Sequence, residues 1–121
     1  MDDLTLYRPY LGTQQTVIID RPLGSLHPTQ GFLYPVNYGY IPNTVAGDGE
    51  EIDAYVLGVN RPLETFTGLC IAIIVRADDD EHKIVVSGCL LSEKEVKVQT
   101  DFVERFFDSK IELCPHRYAK H

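Results

Sequence analysis

The chain has 121 residues, 44% hydrophobic and 24% charged, enough for one packed core and too few for two. Eleven Lys and Arg face 18 Asp and Glu, a formal net charge of -7, so the summed field repels nucleic acid and acidic membrane surfaces and leaves any anionic substrate to be drawn in by cations. No run approaches the roughly 20 apolar residues of a membrane helix, and the opening MDDLTLYRPY lacks the charged-then-apolar plan of a signal peptide, which predicts a cytoplasmic protein.

Glycines and prolines spread as turn punctuation between short β-branched runs predict one mainly β domain over residues 1–121. A first strand spans 16–20 (TVIID) and ends in the turn residues that follow Arg21. The second covers 32–41 (FLYPVNYGYI), with Pro35 placing it at an edge or bulge, and the third covers 52–59. Runs at 68–76 and 83–89, joined by the acidic stretch ADDDEH, predict a hairpin. Five such strands suggest a small barrel. Ser92 with Glu95 predicts a capping box, and Phe102, Val103, Phe106 and Phe107 recur at helical spacing, so one C-terminal helix should cover the barrel, with an irregular tail after Asp108. Cys70, Cys89 and Cys114 match neither a disulfide framework nor paired zinc knuckles and read as reduced thiols.

The densest chemical signal is Gly47-Asp48-Gly49-Glu50-Glu51-Ile52-Asp53. On extended chain Asp48 and Glu50 project to one side, Gly49 permits an unusual turn, and Asp53 returns from the strand start. Clustered hard oxygens of this kind suit Mg²⁺ or Mn²⁺; the competing reading is a solvated acidic turn. The second cluster, Asp78-Asp79-Asp80-Glu81, reads equally as a solubilising hairpin tip, except that Lys83 follows it and a lysine beside carboxylates can hold a phosphate oxygen. Tyr38 could donate its phenol to an oxyanion or simply pack, and His27 is either a surface residue or a phosphate contact. Cys114, His116 and His121 lack a fourth zinc ligand, and no G-x-S-x-G, P-loop or G-x-G-x-x-G occurs.

Taken in order, the strand ending in an acid, YPVNYGYIPNT, DGEEID and the acidic hairpin ending in lysine resemble the soluble inorganic pyrophosphatases over roughly residues 16–90. The resemblance implies a five-stranded, OB-like closed barrel with one C-terminal helix. It also implies Mg²⁺-dependent hydrolysis of inorganic diphosphate to two phosphates and a homo-oligomer, with no nucleic-acid or membrane partner. Carried over by position, Asp48, Asp53, Asp78 and Glu81 are the expected metal ligands, with Asp79 and Asp80 as alternatives to Asp78. Glu50 takes the place of the water-activating acid, one methylene longer than the usual aspartate, with Asp53 beside it as the second catalytic residue. Tyr38, Lys83, Arg21, His27 and Asp20 are the expected substrate contacts. The family's longer insert before Tyr34, with its lysine, glutamate and arginine, is missing here, and its C-terminal tyrosine-lysine pair has no clear match, Lys110 or Arg117 being the nearest substitutes. Two other readings stay open: hydrolysis of another small phosphorylated compound, and a non-catalytic barrel that binds metal, phosphate or a protein. Oligonucleotide binding lacks its basic, aromatic-lined groove.

Overall fold

A computed structural model describes residues 3–77 and 81–115. After two 3₁₀ turns, Asp3–Leu6 and Arg8–Tyr10, come strands β1 (Gln14–Arg21), β2 (Asn37–Ile41), β3 (Ile52–Leu57), β4 (Thr65–Arg76) and β5 (Lys83–Ser87), helix α1 (Glu93–Glu104) and strand β6 (Ser109–Leu113). The sheet runs β1-β2-β3-β5-β4, and β4 pairs back with β1, which closes a barrel of five strands. All of its pairings are antiparallel except β3 with β5. The predicted fold class is therefore correct: mainly β, a five-stranded closed barrel, one C-terminal helix and, in addition, a sixth strand. None of the helices among the described residues is long and apolar enough to cross a membrane.

Every barrel strand sends alternate side chains inward, including Val17 and Ile19, Ile41, Ala54 and Val56, Ile73 and Val75, and Ile84 and Val86. The opposite faces of β3, β4 and β5 are buried too, with Tyr55, Leu57, Ile71, Ile74 and Val85 packing under α1 against Val96 and Phe102. Burial on both faces is why these strands read as continuous apolar runs rather than alternating ones. Where β1 crosses β2, a Cβ on Gly39 would collide with the backbone carbonyl of Ile18, so only glycine lets the two strands approach.

Three expectations are corrected. The second strand begins at Asn37 rather than at residue 32: Pro35 has no N–H for a ladder, and residues 32–36 pair instead with the turn before them, through a bridge between Leu33 and Leu26 and a Tyr34 carbonyl that accepts from the Gly24 N–H. Asn37 then takes a bracing role, its Oδ1 accepting from the backbone N–H groups of Leu23 (2.9 Å) and Leu63 (3.1 Å) while its Nδ2 donates to the carbonyl of Arg61 (2.8 Å). The capping box at Ser92 and Glu95 is formed, but the helix ends at Glu104 and its buried stripe is Val96, Thr100 and Glu104. Phe106 lies past the last turn and is 73% exposed. The stretch after Asp108 is not irregular: Ser109–Leu113 pairs with the second half of β4, along the edge that β1 leaves open.

Glu104 is the polar member of that stripe, and it joins helix to barrel. Its carboxylate accepts from the Tyr55 hydroxyl (2.6 Å) and from Nε (3.1 Å) and Nη2 (2.8 Å) of Arg76, whose guanidinium also lies 3.7 Å from the centroid of the Phe107 ring. Burial and then the Glu104 carboxylate hold the Tyr55 phenol protonated far above its ordinary range, which keeps it a donor.

Candidate active site

The parallel ladder of β3 and β5 sets Ala54 opposite Ile84, so Asp53 and Lys83, one residue earlier on each strand, are neighbours on the outward face. Lys83 Nζ lies 2.9 Å from Asp53 Oδ2 and 2.9 Å from Glu81 Oε1. The lysine side chain is only 5% exposed, whereas Asp53 and Glu81 are 29% and 38% exposed, so a sequestered ammonium underlies two accessible carboxylates. From β2, Tyr38 brings its ring to 5.5 Å from Lys83 Nζ. Burial, and after it the Asp53 carboxylate, pushes the Tyr38 phenol well above its ordinary pKa, so at neutral pH it is a hydrogen-bond donor.

A second group adjoins the first through stacked rings. Tyr34 and Tyr38 have centroids 5.9 Å apart, and His27 stacks on Tyr34 at 5.9 Å. The Tyr34 phenol is raised by burial, while the charge of the Arg21 guanidinium and its hydrogen bond pull it down, which places Arg21 beside this rim; the Asp20 carboxylate raises it and the Lys83 ammonium lowers it. His27 is committed locally: its Nδ1 accepts from the backbone N–H groups of Thr29 (3.2 Å) and Gln30 (3.0 Å).

The loop between β2 and β3 is braced at both ends. Thr44 Oγ1 donates to the Ile41 carbonyl (2.6 Å) and accepts from the Ile52 N–H (3.0 Å), and Glu51 Oε2 accepts from the N–H of Asn43 (3.3 Å). Asp48, Glu50 and Glu51 are exposed, and Asp48 Oδ1 accepts from the Glu50 N–H (3.0 Å), an Asx turn around Gly49 at φ 86°. The loop is also tied from a distance, because the hydroxyl of fully buried Tyr7 accepts from the Gly47 N–H (3.1 Å). The Tyr7 ring meets His82 edge-on at 5.1 Å, and His82 lies between Glu81 and Lys83 in sequence. One ring from the N-terminal turns thus contacts both acid-bearing loops. Tyr7→Phe is expected to cost about 1 kcal/mol in urea denaturation and to speed hydrogen exchange at the Gly47 amide.

The expected residues therefore divide into groups. Asp53, Glu81, Lys83 and Tyr38 are brought together, with Arg21 alongside at Tyr34 and Asp20 next to it on β1. Asp48 and Glu50 share an exposed turn, and His27 sits behind Tyr34. Asp78, Asp79, Asp80, His116, Arg117 and His121 lie outside the described residues. Tyr7 gave no sign in the sequence, since its opening segment has no periodicity to mark a buried ring. Among the described residues, no group of three or more His, Cys, Asp or Glu is placed to hold a metal ion. Mg²⁺, however, keeps several waters and takes one or two carboxylates, and Asp53 and Glu81 aim two hard-oxygen donors at a single point. The donor set fits a divalent cation of this kind.

A family model described as inorganic pyrophosphatase matches residues 12–109. The chain belongs to the inorganic pyrophosphatase family. The inorganic pyrophosphatase of Campylobacter jejuni is 26% identical over 119 residues, covering 86% of this chain and 66% of that protein. That of Rickettsia prowazekii is 36% identical over 80 residues, covering 66% of this chain and 42% of the relative, so the chain matches less than two thirds of the length of these curated relatives. The crystal structure of the inorganic pyrophosphatase from Ehrlichia chaffeensis superposes with a TM-score of 0.68 at 17% identity, over 86% of this chain and 88% of that one. The Thermus thermophilus structure gives 0.52 at 19% identity, over 83% of this chain and 79% of that one. At these identities the structural likeness establishes a shared pyrophosphatase fold.

Proposed function

We propose that this chain hydrolyses inorganic diphosphate to two phosphates with the help of a divalent cation, Mg²⁺ or Mn²⁺. The observation that carries the reading is the cluster of Asp53, Glu81, Lys83 and Tyr38 on the outward face of a pyrophosphatase barrel. When bound between Asp53 and Glu81, with Asp48 and the acids at 78–80 as further candidates, the cation supplies Lewis acidity that activates water and neutralises phosphate oxygens. The chain's own groups bind and position the substrate. Lys83 offers an ammonium and Tyr38 a protonated phenol to oxygens of the departing phosphate, and Arg21 at the Tyr34 edge adds a second cation. Glu50, exposed on its turn, is the candidate to take the proton from the attacking water. A single domain over 1–121, a cytoplasmic setting and a homo-oligomer belong to this proposal as well.

A second reading, hydrolysis of another small phosphorylated compound, is favoured by a cavity of about 400 Å³ bordered by His27, Phe32, Val103 and Phe106. His27 and Phe32 both touch the Tyr34 ring, so an organic group carried on a phosphate has a place beside the cluster. The test is a phosphate-release assay on diphosphate and a panel of small phosphate esters, with Mg²⁺ or Mn²⁺ and then with excess EDTA. Release from diphosphate that EDTA abolishes is the expected result. Release confined to an ester selects the second reading, and no release from any compound at micromolar protein rejects both.

A further inference from the structure

We propose that Lys83 is the internal counter-ion of the cation site. In the ion-free protein its ammonium fills the point between Asp53 and Glu81, and a divalent ion must displace it, freeing it for a phosphate oxygen. The inference rests on the reading of Asp53 and Glu81 as the ion-holding pair.

Three observations support it. Lys83 Nζ is 2.9 Å from an oxygen of each carboxylate, so it stands where a shared cation would stand. Its side chain is 5% exposed, and an ammonium so withdrawn from water depends on those two acids for its compensation. The Tyr38 ring 5.5 Å away offers the charge only a weak alternative. A divalent cation in contact with the same two oxygens would face the ammonium at a few ångströms, where like charges repel strongly, so the two occupants exclude each other. The four-carbon stem of a lysine lets its head move while the base of the side chain stays packed on β5. An ammonium driven from its acids needs a new anion, and a phosphate arriving with the ion provides one. Ion and phosphate should therefore strengthen each other's binding through Lys83, and by linkage the effect is reciprocal.

The experiment measures Mn²⁺ binding by electron paramagnetic resonance of the free ion, with and without inorganic phosphate. It compares the wild type, Lys83→Met, Lys83→Arg and, as a control of equal charge change on the exposed side of α1, Lys97→Met. Without phosphate, Lys83→Met is expected to bind Mn²⁺ about tenfold more tightly than the wild type, and Lys97→Met within about twofold of it. Phosphate should tighten Mn²⁺ binding by a larger factor in the wild type than in Lys83→Met, a difference that the mere loss of a positive charge does not produce. Mn²⁺ should also raise the melting temperature of Lys83→Met more than that of the wild type. Equal or weaker Mn²⁺ binding by folded Lys83→Met, or an equal effect of phosphate on both proteins, overturns the proposal. If Lys83→Met fails to fold, Lys83→Arg decides: its forked cation should grip both carboxylates and weaken Mn²⁺ binding several-fold, and unchanged affinity overturns the proposal. Absence of Mn²⁺ binding in every protein rejects the ion-holding pair together with this inference. Metal-dependent phosphate release by the wild type alongside unchanged affinity in Lys83→Met rejects the inference alone.

Discussion

Asp53→Asn is expected to lower phosphate release from diphosphate by roughly 10²–10³-fold while the barrel still folds, the scale of losing one preorganised charge at a reacting centre. Asparagine keeps the shape of the side chain and removes its charge. Lys83 would then lie buried with Glu81 as the one remaining carboxylate of its pair, and the outward cluster would offer one anionic donor in place of two. The wild type and variant should be compared for phosphate release and for far-UV circular dichroism and melting. Turnover unaffected by the substitution would move the reaction centre away from the outward face of β3 and β5.

Glu104→Ala is expected to destabilise the molecule by about 3–5 kcal/mol, because it removes the carboxylate that a buried guanidinium grips at two nitrogens. Arg76 is 5% exposed, and both of its described hydrogen bonds to a carboxylate end on Glu104. The Tyr55 hydroxyl loses the same acceptor. For a chain of this length the cost amounts to a fall in melting temperature of roughly 10–20 °C, measurable by calorimetry or urea titration. The double variant Arg76→Met/Glu104→Leu, which replaces the pair with apolar groups of similar volume, should recover most of the loss. Failure to recover would mean that the pair is needed for more than mutual charge compensation.

The barrel was legible because its strands are β-branched runs separated by turn residues, and because burial on both faces keeps most of β3, β5 and the second half of β4 apolar. What stayed hidden were features decided by partners distant in sequence. Residues 109–113 carry no strong strand pattern, and they extend because the far half of β4 has a vacant edge. Phe106 and Phe107 share helical spacing with Phe102, yet α1 stops before them and buries Val96, Thr100 and Glu104 instead, with Glu104 pairing to Arg76 on β4. The acids and Lys83 were visible as motifs, but their union was not: the neighbouring of Asp53 and Lys83 across 30 positions follows from parallel register, which no local pattern encodes. Tyr7 lay beyond sequence reasoning for the same reason, as its importance comes from two loops that fold back onto it.

The β3–β5 ladder also determines how this protein can vary. Since the carboxylate and the amine are set side by side by the frame of two adjacent strands, the connections between them are free to lengthen or shrink while the pair persists. A deletion of one residue within either strand has the opposite effect. It would turn one partner toward the aliphatic interior while leaving the other outside, so tolerance to insertions should drop abruptly at the strand boundaries.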